Sequence, residues 1–393
     1  MNDNINIQPA RRLSSVKEYY FSTKLKEIDA LRRQGKDIIS LGIGSPDMMP
    51  SAPTIQALCD DAKKADAHGY QSYVGIPELR QAFADFYKKN YDVALDPKSE
   101  IQPLIGSKEG VMHISLAFLN PGDGVLIPNP GYPTYAAVSN LVEAKVLNYD
   151  LLESNGWQPD FDALERMDLS GVKLMWVNYP NMPTGAPASL DLFQQLVDFG
   201  KRHNILIIND NPYSFILNRK HLSILQIPGA KDVCIELNSL SKSHNMPGWR
   251  MAMVAAQPQF IQWILKVKSN MDSGMFRPMQ KAAAVALTQN TEEWHEEFNV
   301  NVYARRRALA EQIMTTLGCS FDPNQVGMFL WGKIPDTYAD AGELADRVLY
   351  DADVFITPGF IFGTNGNRYV RVSLCAKDDK LAEALQRIKQ LNK

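Results

Sequence analysis

The chain has 393 residues, 45% hydrophobic and 22% charged, with a formal net charge of −3 and a pI near 6.1. That is the composition of a globular protein with ample core material, enough for two or three domains. It argues against a basic nucleic-acid surface, and no apolar run reaches the about 18 residues that a membrane span needs.

Four cysteines (Cys59, Cys234, Cys319, Cys375) lie far apart. None falls in a Cys-x-x-Cys pair or a His/Cys cluster with metal-ligand spacing, so no metal is expected, and free thiols in a reducing compartment are. Met1 to Arg12 is polar, with no apolar signal core. The expectation is a cytoplasmic protein. Arg305-Arg306-Arg307 sits in a helical pattern and reads as a solvated face.

Residues 1–15 read as a polar arm and 16–34 as a helix stopped by Gly35. A short strand at 38–41 runs into Gly42-Ile43-Gly44-Ser45-Pro46-Asp47. Two glycines so close allow a ligand near the backbone, or simply turn the chain. Helices are expected over 54–67 and up to Tyr87, on either side of a loop that holds Tyr70. A strand at 101–105 then meets Gly106-Ser107-Lys108-Glu109-Gly110, which opens an apolar helix to Leu119. Such a turn aims free backbone N–H groups at one point and forms an anion site; Ser107 can also serve only as the cap. The strand 125–128 leads to Gly131-Tyr132-Pro133-Thr134-Tyr135. Tyr132 there can stack on a flat heterocycle or pack in the core.

A strand at 174–178 ends in Tyr179-Pro180-Asn181-Met182-Pro183-Thr184-Gly185, and a helix at 189–203 follows. The run 205–208 is apolar throughout and ends in Asn209-Asp210-Asn211-Pro212-Tyr213. Apolar strands alternating with helices predict a parallel sheet covered on both faces. Asp210 then stands at a strand's carboxyl end, where a carboxylate pairs with a protonated ring nitrogen or shapes a turn. Another strand, 233–237, precedes Ser239-Leu240-Ser241-Lys242-Ser243-His244-Asn245-Met246-Pro247-Gly248-Trp249-Arg250. Open α/β sheets bind ligands beyond such strand ends. Lys242 can form an imine with a carbonyl compound, and serines with Arg250 can hold a phosphate. Imine plus phosphate describes pyridoxal phosphate.

Beyond a strand at 251–256, helices are expected near 260–268, 278–290 and, as one long element, 292–317. Strands follow at 327–332, 354–359 and 369–374, with helices at 340–351 and 378–392. Arg371 lies inside an apolar strand. Burying it needs an anionic partner, either a substrate carboxylate or an internal ion pair. Arg277 can bind a distal carboxylate or cap a helix.

From about residue 16 to 385, this order of motifs resembles the class I/II aminotransferases of pyridoxal phosphate fold type I. Residues 104–135 are similar to the branch with alanine-type and LL-diaminopimelate-type enzymes. The resemblance implies a large domain with a mostly parallel seven-stranded sheet covered by helices on both faces, and a smaller α+β domain. Residues 1–45 would form an arm and part of the small domain, 46–290 the large domain, and 291–393 the rest of the small one. It implies a ping-pong transfer of an amino group from an L-amino acid to a 2-oxo acid. Lys242 would be the Schiff-base lysine and the proton-transfer base. Asp210 would pair with the ring nitrogen, Tyr213 with the ring hydroxyl, and Tyr132 would stack on the ring. Ser107, Lys108, Ser239 and Arg250 would hold the phosphate, with Tyr70 reaching it from the other subunit of a homodimer. Arg371 would clamp the substrate carboxylate, with Gly44 and Tyr19 beside it.

One departure concerns the residue before Pro-Thr-Gly. The family carries Asn there; this chain has Met182, and a thioether donates nothing. Either Asn181 replaces it as a cofactor contact or Tyr213 works alone. Ser273, where diaminopimelate-type sequences carry Asn, weighs against that substrate. A β-lyase or decarboxylase on the same fold, or a non-catalytic cofactor-binding sensor, is the alternative function. A dinucleotide site fails, because Gly42-Ile43-Gly44 is followed by Ser-Pro-Asp and not by a helix.

Overall fold

The computed structural model describes residues 7–15 and 20–391. Its centre is a seven-stranded sheet. In spatial order the strands are Ile101–Leu104, Ala252–Ala255, Cys234–Ser239, Leu206–Asp210, Val172–Val177, Gly124–Asn129 and Lys145–Asp150. Ala252–Ala255 runs antiparallel to both neighbours and the other pairs are parallel. This is the mostly parallel α/β sheet expected, with one strand reversed.

The inner strands are largely apolar on both faces because helices cover both. Leu174 and Trp176 join one buried cluster with Val111, Ile114 and Ile264; Met175 and Val177 join the other with Leu192 and Phe199. That alternation is the two-residue period of a strand. Helix Leu190–His203 illustrates the local logic. Ser189 accepts from Leu192 N at its start, Asn204 ends it in the left-handed conformation (φ 55°), and Leu192, Phe193, Leu196, Val197 and Phe199 form its buried stripe. A cap of this kind is worth about 1 kcal/mol. The helix hands the chain to the strand that ends in Asp210.

Two small sheets lie elsewhere in the chain. Ile39–Ser40 pairs in parallel with Val354–Phe355, so the N-terminal segment joins the C-terminal part. Thr357–Pro358, Tyr369–Ser373 and Phe329–Lys333 form an antiparallel three-stranded sheet. The helix expected over 16–34 is Tyr20–Arg33; residues 16–19 lie outside the described ones. The long helix expected over 292–317 is broken into Glu292–His295, a π-helical stretch Glu296–Asn301, and Val302–Thr316. The π turn seats buried Asn299 so that its Nδ2 donates to Ser243 O (2.9 Å), next to Lys242.

Candidate active site

Asp210 closes its strand at the sheet's carboxyl edge and is buried. Tyr135 Oη donates to its Oδ2 at 2.9 Å. Tyr135 is itself stacked on Trp176, with ring centroids 4.9 Å apart and planes 7° from parallel. Oδ1 of Asp210 has no hydrogen-bond partner among the described residues. Burial pushes the carboxyl up to about 6; the Tyr135 bond and the charge of Lys242 pull it down, while Glu236 pushes it up. Glu236 is a second buried carboxyl, one strand over, tied to Tyr87 Oη (2.8 Å), Asn209 Nδ2 (3.0 Å) and Ile224 N (3.1 Å). Asn178 steadies the same edge. Its Nδ2 donates to Asp210 O at 2.5 Å, and its Oδ1 accepts from Met182 N at 2.8 Å.

Lys242 sits in the short helix Leu240–Ser243, which follows the strand Cys234–Ser239 and is capped by Ser239. Its Nζ donates to Gly44 O at 2.5 Å. Burial lowers its pKa, and Arg371 and Arg250 lower it further against the opposing pull of Cys375 and Asp210. A lysine so placed loses its proton more readily than one in water.

An anion cradle lies beside it. Gly106 caps helix Ser107–Phe118 at φ 80°, and a Cβ there would collide with the Arg250 guanidinium. Only glycine meets both demands. Ser107 Oγ is buried with no hydrogen-bond partner among the described residues. Ser239 Oγ donates to Ser241 Oγ at 2.9 Å, and Lys108 lines the same space. A helix N-terminus, hydroxyls and two cations line the same cleft, and these are the groups a phosphate dianion requires.

Arg371 is buried in strand Tyr369–Ser373. Its guanidinium carbon lies 3.8 Å from the Phe329 ring centroid and 4.6 Å from that of Phe362. Nη2 donates to Gly42 O (2.8 Å) and Nη1 to Met182 Sδ (3.3 Å). Tyr213 packs edge-on against Phe329 at 6.0 Å, and burial raises its phenol pKa. Tyr132 stands edge-on to Tyr135 at 5.4 Å. These groups enclose a cleft of about 380 Å³.

The family model for aminotransferase class I and II matches residues 36–388. The chain belongs to this family. It is 40% identical to an LL-diaminopimelate aminotransferase of Aquifex aeolicus, over 97% of this chain and 98% of the relative. A protein of the same name from Maridesulfovibrio salexigens is 41% identical, with the same shares covered. Among solved structures, apo-BacF from Bacillus subtilis superposes with a TM-score of 0.93 at 34% identity, covering 99% of both chains. The aromatic aminotransferase from Pyrococcus horikoshii OT3 gives 0.86 at 29% identity, covering 93% of this chain and 98% of that one. The protein is a pyridoxal-phosphate-dependent aminotransferase.

The residues of this aminotransferase fit the cofactor. The open Oδ1 of Asp210 suits a ring N–H, and the cradle at Gly106 and Ser107 suits the phosphate. The cleft gathers Gly44, Ser107, Lys108, Tyr132, Asp210, Tyr213, Ser239, Lys242, Arg250 and Arg371. Two other expected residues do not line it. Asn181 is not among the residues that line the cleft. Its amide closes its own loop, accepting from Thr184 Oγ1 (2.7 Å) and donating to Asn178 O (3.1 Å), while Met182 faces the cleft. Tyr70 is 93% exposed and outside the cleft, and Tyr19 lies outside the described residues. Arg277 neither caps nor waits for a ligand: it pairs with Asp61 (3.0 Å) and Asp66 (2.7 Å). Sequence reasoning missed Tyr135 and Asn178. Tyr135 stood in the quoted Gly-Tyr-Pro-Thr-Tyr motif, three residues after Tyr132, so the signal was on view but unassigned.

Proposed function

We propose that this aminotransferase works by a ping-pong mechanism in which Lys242 both anchors the cofactor and moves the proton. Bound pyridoxal phosphate supplies an electron sink for charge developing at the substrate Cα. Lys242 Nζ would hold the cofactor at its carbonyl carbon. The Lys242 amine, whose pKa burial lowers, would be the base that takes and returns a proton at the substrate Cα. Asp210 offers Oδ1 to the ring N–H, and Tyr135 holds the carboxylate in that orientation. Tyr213 donates to the ring hydroxyl oxygen without help from Asn181 or Met182. Tyr132 covers the ring face. Ser107, Lys108, Ser239 and Arg250 take the phosphate, and Arg371 takes the substrate α-carboxylate beside Gly44. The amino group leaves with a 2-oxo acid in the second half of the cycle.

We place the enzyme in the cytoplasm as a homodimer, with exposed Tyr70 reaching the partner's phosphate site. Residues 46–290 form the large domain; 1–45 and 291–393 serve the small one. The relatives' names put LL-diaminopimelate forward as a donor to test.

One observation carries this reading: Asp210, with a buried carboxylate oxygen that has no hydrogen-bond partner among the described residues, lines the same cleft as Lys242, a part-buried lysine of lowered pKa. The test is the visible spectrum of the loaded enzyme. Amino acids should bleach the cofactor band, a 2-oxo acid should restore it, and Lys242→Ala should do neither. Bleaching with ammonia release and no recovery would instead mean elimination chemistry.

A further inference from the structure

The part of the cleft around Arg371 is walled by apolar side chains. Phe329 and Phe362 cover its guanidinium, and Met182 Sδ accepts from Nη1. Ile43, between Gly42 and Gly44, and Leu25 line the same cleft. Its cations are Lys108, Lys242, Arg250 and Arg371, with no fifth among the described residues. On the reading above all four are engaged: two with the phosphate, one with the cofactor carbonyl and one with the α-carboxylate. Arg277, the cation best suited by sequence to a distal acid group, is held by Asp61 and Asp66.

A second carboxylate on the substrate would lose its water against Leu25 and Ile43 and find no counter-charge among the described residues of this chain. An apolar side chain in the same place gains from burial. We propose that this cleft prefers an amino donor with an uncharged, apolar side chain over one with an acidic end. The proposal rests on Arg371 holding the α-carboxylate. It also separates this chain from its relatives' names, since LL-diaminopimelate ends in an ammonium–carboxylate pair.

The experiment is single-turnover bleaching of the loaded wild-type enzyme at limiting donor. The donors are leucine, methionine, phenylalanine, aspartate and LL-diaminopimelate. The best apolar donor should exceed both aspartate and LL-diaminopimelate by about tenfold or more in apparent second-order rate constant. Ile43 is 41% exposed, so Ile43→Lys should be tolerated in the fold; it should raise aspartate relative to leucine by about tenfold. Arg277→Gln should leave that ratio unchanged. Aspartate or LL-diaminopimelate as the best donor would overturn the proposal while leaving amino transfer intact, and would mean that the partner subunit supplies a cation. An unmoved ratio in Ile43→Lys, or a loss of acidic donors alone in Arg277→Gln, would also overturn it. No bleaching with any donor would overturn the functional reading itself.

Discussion

Replacing Tyr135 by Phe removes one hydroxyl from a fully buried site and leaves the ring stacked on Trp176. The hydroxyl donates to Asp210 Oδ2 at 2.9 Å and favours the charged carboxylate. A hydrogen bond to a charged group is worth about 1.5–3 kcal/mol, so Asp210 should rise by about one to two pKa units. The consequence for stability has a definite sign. The Asp210 carboxyl already stands raised, from 3.8 to about 6, in the protein without cofactor. Its contribution is therefore fully present below 3.8 and lost as pH rises through 6. That loss is about 3 kcal/mol in the wild type, and the variant should lose a further 1.5–3 kcal/mol, roughly, as the window extends upward. The assay is urea unfolding of cofactor-free wild type and Tyr135→Phe at pH 5 and pH 8.5. The stability gap between them should be wider at pH 8.5 by about 1.5 kcal/mol or more, with Glu236 common to both. A gap that does not change with pH would refute the idea that Tyr135 tunes Asp210.

Other consequences follow from the same geometry. Gly106→Ala forces a side chain into φ 80° and into Arg250, so cofactor affinity should fall at least about tenfold and stability by about 1–3 kcal/mol. Equilibrium dialysis and urea unfolding check the two effects. Met182→Leu keeps the apolar wall and should cost under about 1.5 kcal/mol, whereas Met182→Ala should cost about 2–5 kcal/mol by calorimetry. His295 is pushed down to about 4, by burial first and then by His221 and Lys89. It stays neutral in the fold while the unfolded chain protonates near 6.5, so stability should fall as pH drops from 6.5 toward 4. His295→Asn should flatten that slope by up to about 1.4 kcal/mol per pH unit in urea titrations.

Much of the site could be read before any coordinates because chemistry and strand ends coincide. Asp210 and the Lys242 segment each follow a short apolar run, and a run that short in an α/β chain ends at the ligand edge. Glycine at 106 announced the cradle, since a strand-to-helix turn with a free N-terminus has few other forms. Where sequence fell short, the reason was neighbours brought in from afar. The edge strand Lys145–Asp150 escaped notice because it is half exposed and carries Lys145, Asn148 and Asp150. The π turn at 296–301 keeps a helical pattern and is set by Asn299 bonding to Ser243 O, 56 residues away. Asn181 has the right chemistry in the wrong register: one residue earlier in the loop, its amide turns onto Thr184. Tyr135 and Asp210 are 75 residues apart, and no local pattern ties them.

The central claim is that Lys242 is the residue bonded to the cofactor. Borohydride reduction of the loaded enzyme, followed by proteolysis and peptide mass mapping, tests it directly. The account predicts a cofactor-sized mass increase on the peptide containing Lys242 and on no other, absent from Lys242→Ala. The same increase on a different lysine, or none in an enzyme that carries bound cofactor, would contradict it.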